Sequence, residues 1–453
     1  ARLAPAAMIR LPVGSITPKG WLLEQLKLQA EGLSGHLSQF WDDVLSSVWV
    51  GGNADGGLHE RLPYWLNGFV PLAYLLRSAN ITELPGAKGY HLQRDGCAAI
   101  PPTRRASDCS DLPRVKPLNQ VHSYISSILR WQRNESGWIG PSSVEGSDFL
   151  GDMYWPAADV LLALTQYAEA EPNEFQVVAV AIRAHLFEMH RLLRHTSLLQ
   201  PNSSGHSHEP AGAIAYARWI DLAGAILWVL DSGVADGHEA ELHDLFHMLQ
   251  SQGKNWDAAF AAARHGIARQ HNVNVAQALK SAAVEYRFTS AARAPAALQV
   301  SLARMRALDE AYGLPTGMYV GDELLPHDSL HDPSRGIELC GVVEAMYSYE
   351  VMFAIHGDVA FADRLERIAY NALPATWASP RGGDMWAHQY FQSVNQIRAV
   401  NGTPFYWPLN GTGPDAAAAE AYGLSPNYGC CTANFNQGWP KFASSLFYMT
   451  HHG

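Results

Sequence analysis

The sequence predicts an all-α protein, a toroid of paired helices of the (α/α)6 type. About a dozen segments carry apolar residues at helical spacing, and strand-like alternation is nearly absent. The helical segments follow one another through turns rich in Gly, Pro and Asp, as expected for sequential helix pairs. An open α-solenoid has a similar helix content and remains an alternative, although no strict repeat is visible.

The clearest helical patterns place apolar residues every three or four positions. In chain order they are WLLEQLKLQAEGL (21–33), WLNGFVPLAYLLRSA (65–79), VHSYISSILRWQRN (121–134), WPAADVLLALTQYAEA (155–170), FQVVAVAIRAHLFEMHRLLRH (175–195), IAYARWIDLAGAILWVLDSG (214–233), VNVAQALKSAAVEYRF (273–288), ALQVSLARMRALDEAYG (297–313) and GVVEAMYSYEVMFAIHG (341–357). Each pattern is long enough for several helical turns and predicts one helix of the toroid.

The spaces between these patterns define the expected domain organisation. We expect a single toroidal domain over residues 1–453, with an inserted loop near 79–120. The stretch 376–430 is rich in Gly, Pro, Trp and Tyr, so it cannot be helical throughout. The final SSLFYMTHHG reads like the approach to a further segment, and we expect that a C-terminal domain is absent here.

Net charge and aromatic content indicate which classes of binding partner the protein has. The chain of 453 residues has a formal net charge of −11, which argues against nucleic acid or an anionic membrane as the main partner. No apolar run is long enough to span a bilayer. The chain carries 14 Trp, 18 Tyr and 20 His, a content that suits a carbohydrate-binding cleft and equally an ordinary large core.

Several features favour a secreted glycoprotein. Cys97 and Cys109 lie in a polar, Pro-rich loop where a disulfide would close a short loop, which fits an oxidising compartment. Two free loop thiols are the alternative. The chain begins at Ala1, as if a leader had been removed. Sequons for N-glycosylation occur at Asn80, Asn134, Asn202, Asn401 and Asn410.

The remaining thiols and one carboxylate form a candidate metal site. Adjacent cysteines such as Cys430 and Cys431 seldom bridge to each other, because the small ring is strained. Together with Glu338 and Cys340, at the start of a helical pattern, they supply three sulfurs and one carboxylate. Zn²⁺ accepts such a mixed tetrahedral set and keeps thiols deprotonated. The alternative is that these are structural buried thiols.

A candidate acid–base group precedes this set. The loop GMYVGDELL offers Asp322 and Glu323 between Gly residues and a Pro. A buried carboxylic acid there could protonate a leaving oxygen and later activate water. The alternative is that both are solvated surface charges.

Several segments in register resemble one family of enzymes. They are LPVGSITPKGWLLEQLKLQAEGLSGHLSQFW, GMYVGDELL, GIELCGVVEAMYSYE, LERIAYNALPATW, MWAHQYFQSVNQI and NYGCCTANFNQGWPKFASSLF. From near residue 10 to residue 449, the sequence is similar to the β-L-arabinofuranosidase family of zinc–cysteine glycoside hydrolases. The resemblance implies an (α/α)6 barrel followed by β-sandwich domains, and we expect the second part to be missing here.

The resemblance also implies roles for individual residues. The implied zinc ligands are Glu338, Cys340, Cys430 and Cys431, with Cys430 as the nucleophile that attacks the anomeric carbon. Glu323 is the implied general acid/base, with Asp322 as the alternative, and His271 and His388 would line the sugar pocket. Weaker candidates for that pocket are Gln389, Asn395 and Trp439. Asn67 replaces an Asp that is usual in relatives, which puts substrate contacts in that region in doubt.

The expected function is therefore that of a retaining glycoside hydrolase, exo-acting on β-L-arabinofuranosides of an oligosaccharide or a glycoprotein glycan, with Zn²⁺ as cofactor. An alternative from another class is a secreted glycan-binding or scaffold protein with a structural zinc site. A zinc hydrolase that uses metal-bound water is less favoured, because four protein ligands leave no vacant position.

Overall fold

The computed structural model describes most of the chain. Its described residues are 2–54, 56, 58–88, 111–140, 150–199, 211–262, 264–326, 336–377, 384–393, 422–425 and 428–451. The predicted disulfide between Cys97 and Cys109 lies outside them, as do Asn395 and the sequons at Asn202, Asn401 and Asn410.

Helices dominate the described residues. In chain order they are α1 (Gly20–Glu31), α2 (Leu33–Phe40), α3 (Asp42–Leu45), α4 (Arg61–Ser78), α5 (Pro117–Arg130), α6 (Leu150–Ala170), α7 (Phe175–Leu193), α8 (Ala211–Ala217), α9 (Trp219–Asp231), α10 (Glu239–Gln252), α11 (Trp256–Ala261), α12 (Arg264–Ile267), α13 (Asn272–Ala278), α14 (Ser281–Arg287), α15 (Ala294–Tyr312), α16 (Leu339–His356), α17 (Val359–Tyr370), α18 (Gly429–Asn434) and α19 (Gly438–Ser444).

Two small antiparallel ribbons accompany the helices in the described part of the chain. Strand β1 (Ile9–Arg10) pairs with β4 (Tyr448–Met449), so that the two ends of the chain meet. Strand β2 (Ile337–Glu338) pairs with β3 (Phe391–Gln392), with Glu338 opposite Phe391. The second ribbon matters for the site because β2 leads directly into α16.

The helices close into a ring. In the inner layer α4 packs against α6, α6 against α9, α9 against α13 and α14, these against α16, α16 against α19, and α19 against α4. In the outer layer α5 packs on α4 and α10 packs on α9, whereas α7, α15, α17 and α1 each pack across two neighbouring inner elements. Ring closure confirms the predicted (α/α)6 toroid over the open solenoid.

Apolar patterning explains the two layers. In the inner helix α4 every residue from 62 to 76 is buried, as expected for a helix that is apolar on all sides. The outer helix α5 buries only a stripe on one face. The stripe consists of Pro117, Val121, Tyr124, Ile125 and Ile128.

Two predicted helices are interrupted. The segment 214–233 forms α8 and α9 with a break at Arg218, and 273–288 forms α13 and α14 with a break before Ser281. Each break has a buried cation beside it. Arg218 donates to Asn274 Oδ1 at 2.7 Å and to the Tyr64 hydroxyl at 3.0 Å, and Lys280 pairs with Asp221 at 2.5 Å. Contacts across the ring thus override the local helical spacing.

Inner helices begin at a common end of the ring. Glu60, Arg218 and Glu338 lie immediately before α4, α9 and α16, and their charges act on one another or on Cys430, while His271 lies immediately before α13. The N-terminal ends of helices carry partial positive charge, which stabilises anions. This end of the ring therefore favours carboxylates and thiolates.

The surface bears on two sequence-based expectations. Asn80 and Asn134 are exposed, so both sequons are accessible, while glycosylation and secretion stay predictions. Among the described helices, none combines the length and apolar character needed to cross a bilayer.

Buried polar side chains connect α4 and α6 with α16, α18 and the 3-10 turn Phe435–Gln437. Asn67 Nδ2 donates to Asp159 Oδ1 at 2.5 Å and to Gln437 Oε1 at 3.0 Å. Gln437 Nε2 donates to Asn434 Oδ1 at 2.7 Å, and Asn434 Nδ2 donates to Glu344 Oε1 at 3.1 Å. We call these five residues the amide chain. It runs through the ring from α6 and α4 to the helices that carry the candidate metal site.

One member of the amide chain should make stability depend on pH. Burial raises the pKa of Asp159 from 3.8 to about 8, with a further contribution from Glu344. Between these pH values the folded state holds a proton that the unfolded state releases, so the free energy of unfolding falls as pH rises. Asp159→Asn should lose this contribution, so its free energy of unfolding should fall less than that of the wild type between about pH 5 and about pH 8, as measured by denaturant unfolding of both proteins. Parallel pH dependence in the two proteins would contradict the assignment.

Candidate metal and active site

The structure brings the predicted metal ligands together. Ligand atoms of Glu338, Cys340, Cys430 and Cys431 all lie within 4.8 Å of one another. The sulfurs of Cys340 and Cys431 are 3.2 Å apart. Residues separated by about ninety positions in the chain thus form one cluster, which is the arrangement that a shared metal ion requires.

Backbone pairing holds the cluster in place. The Glu338 N–H donates to Gly321 O at 2.9 Å, and the Leu339 N–H donates to Tyr390 O at 2.9 Å. These bonds fix β2 between two neighbouring segments. Cys340 then lies in the first turn of α16, while Cys430 and Cys431 lie in the first turn of α18.

The charge state of the thiols depends on a cation. Burial raises the pKa of Cys340 and of Cys431 well above that of an ordinary thiol, and burial together with Glu323 raises the pKa of Glu338. Hydrogen bonds from the other two thiols lower the pKa of Cys430. Four anions this close repel one another strongly, so full deprotonation requires a bound metal ion.

The donor chemistry fits such an ion. Glu338 Oε2 is buried and has no hydrogen-bond partner among the described residues, so its lone pairs are available to a ligand. Three sulfurs and one carboxylate oxygen form a set that suits a borderline-soft divalent ion better than Mg²⁺ or Ca²⁺. The residues present therefore fit a bound divalent metal ion.

A second group adjoins the first. Glu323 Oε1 lies 3.0 Å from His271 Nε2, and ligand atoms of His271, Glu323 and Glu338 lie within 4.8 Å of one another. His271 Nδ1 accepts the Val273 N–H at 3.2 Å. The ring proton therefore lies on Nε2, and this N–H donates a hydrogen bond to Glu323 Oε1. Glu338 belongs to both groups, so the two are parts of one site.

Tyr390 joins the two groups. Its hydroxyl donates a short hydrogen bond to Glu323 Oε2 and lies 3.4 Å from Glu338 Oε1. The same oxygen is 3.9 Å from Cys430 Sγ. Cys430 and Glu323 therefore both lie next to one hydroxyl.

Exposure distinguishes the ligands. Cys430 is partly exposed, whereas Glu338, Cys340 and Cys431 are buried. Arg61, at the start of α4, adds positive charge beside Cys430 and helps to lower its pKa. Of the three thiols in the cluster, that of Cys430 belongs to the most exposed residue.

Two glycines allow a close approach behind the site. The Asn272 side chain lies between Gly321 and Gly341 and donates to Gly321 O at 3.0 Å. A Cβ on Gly341 would lie 2.1 Å from Asn272 Nδ2 and one on Gly321 would lie 2.8 Å from Asn272 Cγ. Because real Cβ atoms do not come this close, only glycine fits here, and α13 can pack directly on the strand and helix that carry Glu338 and Cys340.

The other predicted residues take supporting positions. His388 is fully buried, with its ring nitrogens 2.9 Å from Gln389 O and 3.1 Å from Thr432 Oγ1, so it braces the residue next to Cys431. Asp322 is buried and accepts the Glu323 N–H at 3.0 Å. Gln389 is buried as well, and its N–H donates to Thr376 O.

Two residues from the sequence analysis lie in the core. Trp439 is buried and packs edge-on against Trp21 at 5.2 Å between ring centroids. Asn67 is fully buried in the amide chain. Asn67, which replaces the Asp that is usual in relatives, therefore packs next to Asp159 in the core. An Asp at position 67 would place its carboxylate against that of Asp159.

Sequence reasoning missed Tyr390, Asn272 and Arg61. Tyr390 lies two residues after His388, at the end of the quoted MWAHQY, and no spacing rule connects it with Glu323. Asn272 follows His271 directly and could not be assigned without the glycines that surround it. The Glu60–Arg61 pair before an apolar helical run was an available signal, because charged pairs at the start of a buried helix need a partner.

Comparisons with known proteins support the fold. No protein-family model and no curated protein matches the sequence. A solved structure described as a glycoside hydrolase matches with a TM-score of 0.63 and 11% identity, over 98% of this chain and 62% of that one. A GH127 β-arabinofuranosidase matches with a TM-score of 0.56 and 12% identity, over 98% and 63%. A GH127 β-L-arabinofuranosidase from Geobacillus stearothermophilus T6 matches with a TM-score of 0.59 and 12% identity, over 94% and 64%.

These matches have two consequences. The chain spans less than two thirds of the length of each of these structures. At this identity the likeness concerns the fold, and the fold expected from the sequence resemblance is confirmed. The chain has the all-α toroidal fold of these glycoside hydrolases.

Proposed function

We propose that this protein is a retaining glycoside hydrolase with Cys430 as nucleophile and Glu323 as general acid/base. The observation that supports it most is the single site formed by the thiol cluster, Tyr390 and Glu323, with Cys430 partly exposed. The names of the structural neighbours favour a glycosidase, and two of them favour an arabinofuranoside as substrate.

We further propose Zn²⁺ as the metal, held by Glu338, Cys340, Cys430 and Cys431. Zn²⁺ prefers a tetrahedral set of sulfur with nitrogen or oxygen ligands. When bound, it would keep the thiols deprotonated near neutral pH and make a sulfur that leaves a carbon atom readily.

In the first half-reaction the Cys430 sulfur attacks the anomeric carbon while the bond to the leaving oxygen breaks. Glu323, in its protonated form, donates its proton to that oxygen, and a carbon–sulfur bond now holds the sugar. Tyr390 and His271 orient the carboxyl of Glu323 through the two hydrogen bonds described above, which restricts the direction of proton transfer.

In the second half-reaction Glu323, now a carboxylate, takes a proton from water. The water oxygen attacks the same carbon, the carbon–sulfur bond breaks, and Cys430 returns as a thiolate. Two inversions at one carbon restore its configuration, so the product retains the anomeric form of the substrate. The thiolate thus takes the place of the second carboxylate that most retaining glycosidases use.

The alternative of a glycan-binding or scaffold protein with a structural zinc site predicts a closed metal site without catalytic groups nearby. Here the partly exposed Cys430 and the adjacent Glu323 favour catalysis instead. Release of p-nitrophenol from a panel of β-L-arabinofuranosides, other furanosides and pyranosides, with and without a chelator, separates the two. Turnover of the β-L-arabinofuranoside that a chelator stops is expected, and binding of glycans without turnover of any member would contradict the proposal.

Removal of the carboxylate ligand should release the metal. Glu338→Ala takes away one of four donors, so its metal affinity should fall by more than the roughly 10- to 100-fold that is typical for residues outside the coordination shell. Inductively coupled plasma mass spectrometry after dialysis measures the metal content. The matched control is Glu350→Ala, which removes a buried glutamate from the C-terminal half of α16, the helix that follows Glu338. Equal metal content in the two variants would contradict the ligand assignment.

A further inference from the structure

We propose that Asn434 is a positioning residue for the thiol cluster, because its side-chain amide ties α18 to α16 one turn behind the metal ligands. The proposal rests on the metal site proposed above. It concerns how the chain keeps two pairs of ligands, Glu338 with Cys340 and Cys430 with Cys431, at the distances that one metal ion requires.

The first argument is helical spacing. Glu344 lies four residues after Cys340 on α16, and Asn434 lies three residues after Cys431 on α18. Residues three or four apart lie on the same face of a helix. The hydrogen bond of 3.1 Å from Asn434 Nδ2 to Glu344 Oε1 therefore joins the same two helix faces as the thiol cluster does, one turn further into the ring.

The second argument is the need for such a tie. Helix α18 leads through the 3-10 turn Phe435–Gln437 directly into α19, so its own backbone hydrogen bonds bind it to α19 and not to α16. Zinc–sulfur bonds are about 2.3 Å long and tolerate errors of roughly 0.2 Å. A small rotation of α18 would move Cys430 and Cys431 out of that range, because Glu338 and Cys340 belong to a different element.

The third argument is that the amide chain fixes which way the Asn434 amide points. Asn434 Oδ1 accepts from Gln437 Nε2, while Gln437 Oε1 accepts from Asn67 and from Lys441. Donation thus runs in one direction, from Asn67 through Gln437 and Asn434 to Glu344. A flipped Asn434 would place acceptor against acceptor at Glu344, and both residues are buried away from water that could compensate.

The test compares two buried asparagines. Asn434→Leu keeps the volume and removes both hydrogen bonds, so metal affinity should fall by about 10- to 100-fold, as for other residues that orient ligands. Competition with a chromophoric chelator measures it, and thiolate charge-transfer absorption of the Co²⁺-loaded protein should change. The control is Asn436→Leu, because Asn436 donates to Thr432 O and Ala433 O within its own segment. It should lower Tm and leave metal affinity unchanged.

Exchanging the donor and the acceptor between positions 434 and 344 should restore metal affinity. Asn434→Asp places a carboxyl against the carboxyl of Glu344, so the contact survives only with a shared proton. Asn434→Asp combined with Glu344→Gln restores one donor and one acceptor with the direction reversed. Metal affinity should rise in the order Asn434→Leu, Asn434→Asp, double variant, with the double variant near the wild type.

Three results would overturn the inference while the proposed function stands. They are wild-type metal affinity in Asn434→Leu, an equal loss in Asn436→Leu, and a double variant no better than Asn434→Asp. A wild-type protein that binds neither Zn²⁺ nor Co²⁺ would instead overturn the proposed metal site, and this inference with it.

Discussion

Cys430→Ser is expected to lower kcat by roughly 10^4- to 10^6-fold, the range seen when an enzyme loses its nucleophile. A serine hydroxyl is a far weaker nucleophile than a thiolate at neutral pH, and the other groups of the site cannot replace it. Glu338, Cys340 and Cys431 remain as ligands, so part of the metal should stay bound. Initial rates on the p-nitrophenyl glycoside together with metal analysis measure both effects.

The matched control is Cys431→Ser. It also removes one sulfur from the cluster, but this sulfur is buried and Cys430 stays in place. Excess Zn²⁺ should therefore restore part of the activity of Cys431→Ser and none of that of Cys430→Ser. Rescue of both variants by the metal alone would show that Cys430 serves only as a ligand.

Glu323→Gln should produce the second largest effect. The amide keeps the shape and can bond to Tyr390 or His271, but it cannot transfer a proton, and general acid–base catalysis typically contributes 10²- to 10⁴-fold. With a good leaving group such as p-nitrophenol, the first half-reaction needs little acid assistance. We expect one rapid equivalent of p-nitrophenol per site and then almost no turnover.

Asp322→Asn is the control for this assignment. Asp322 and Glu323 are both buried, and sequence alone left both open as acid/base. Glu323 contacts His271 and Tyr390, whereas Asp322 accepts the N–H of Glu323 itself. Asp322→Asn should therefore retain steady turnover. A burst in Asp322→Asn and normal turnover in Glu323→Gln would reverse the two roles.

Particular elements show what the sequence could predict. Apolar spacing located helices such as α4, α5, α7 and α16, because buried and half-buried helices both repeat apolar residues every three or four positions. The same spacing could not reveal the breaks at Arg218 and before Ser281. Their cause is contact with Asn274, Tyr64 and Asp221 on neighbouring elements.

Some residues of the site could likewise be predicted from the sequence, and others could not. Thiols and carboxylates are rare and chemically specific, so Glu338, Cys340, Cys430 and Cys431 could be proposed together before any coordinates. Tyr390 and Asn272 could not, because tyrosine and asparagine have many uses and their roles depend on distances across the ring. His388 was expected at the sugar pocket, and only its buried position next to Thr432 indicates a bracing role.

The central claim is that the Cys430 sulfur becomes bonded to the sugar during turnover. The most direct measurement is peptide mass spectrometry of Glu323→Gln, quenched in acid after incubation with p-nitrophenyl β-L-arabinofuranoside. We predict that the peptide containing Cys430 gains the mass of one anhydropentose, with the fragment ions placing it on that cysteine. Release of p-nitrophenol with the peptide unmodified, or with the sugar on a carboxylate, would contradict the account.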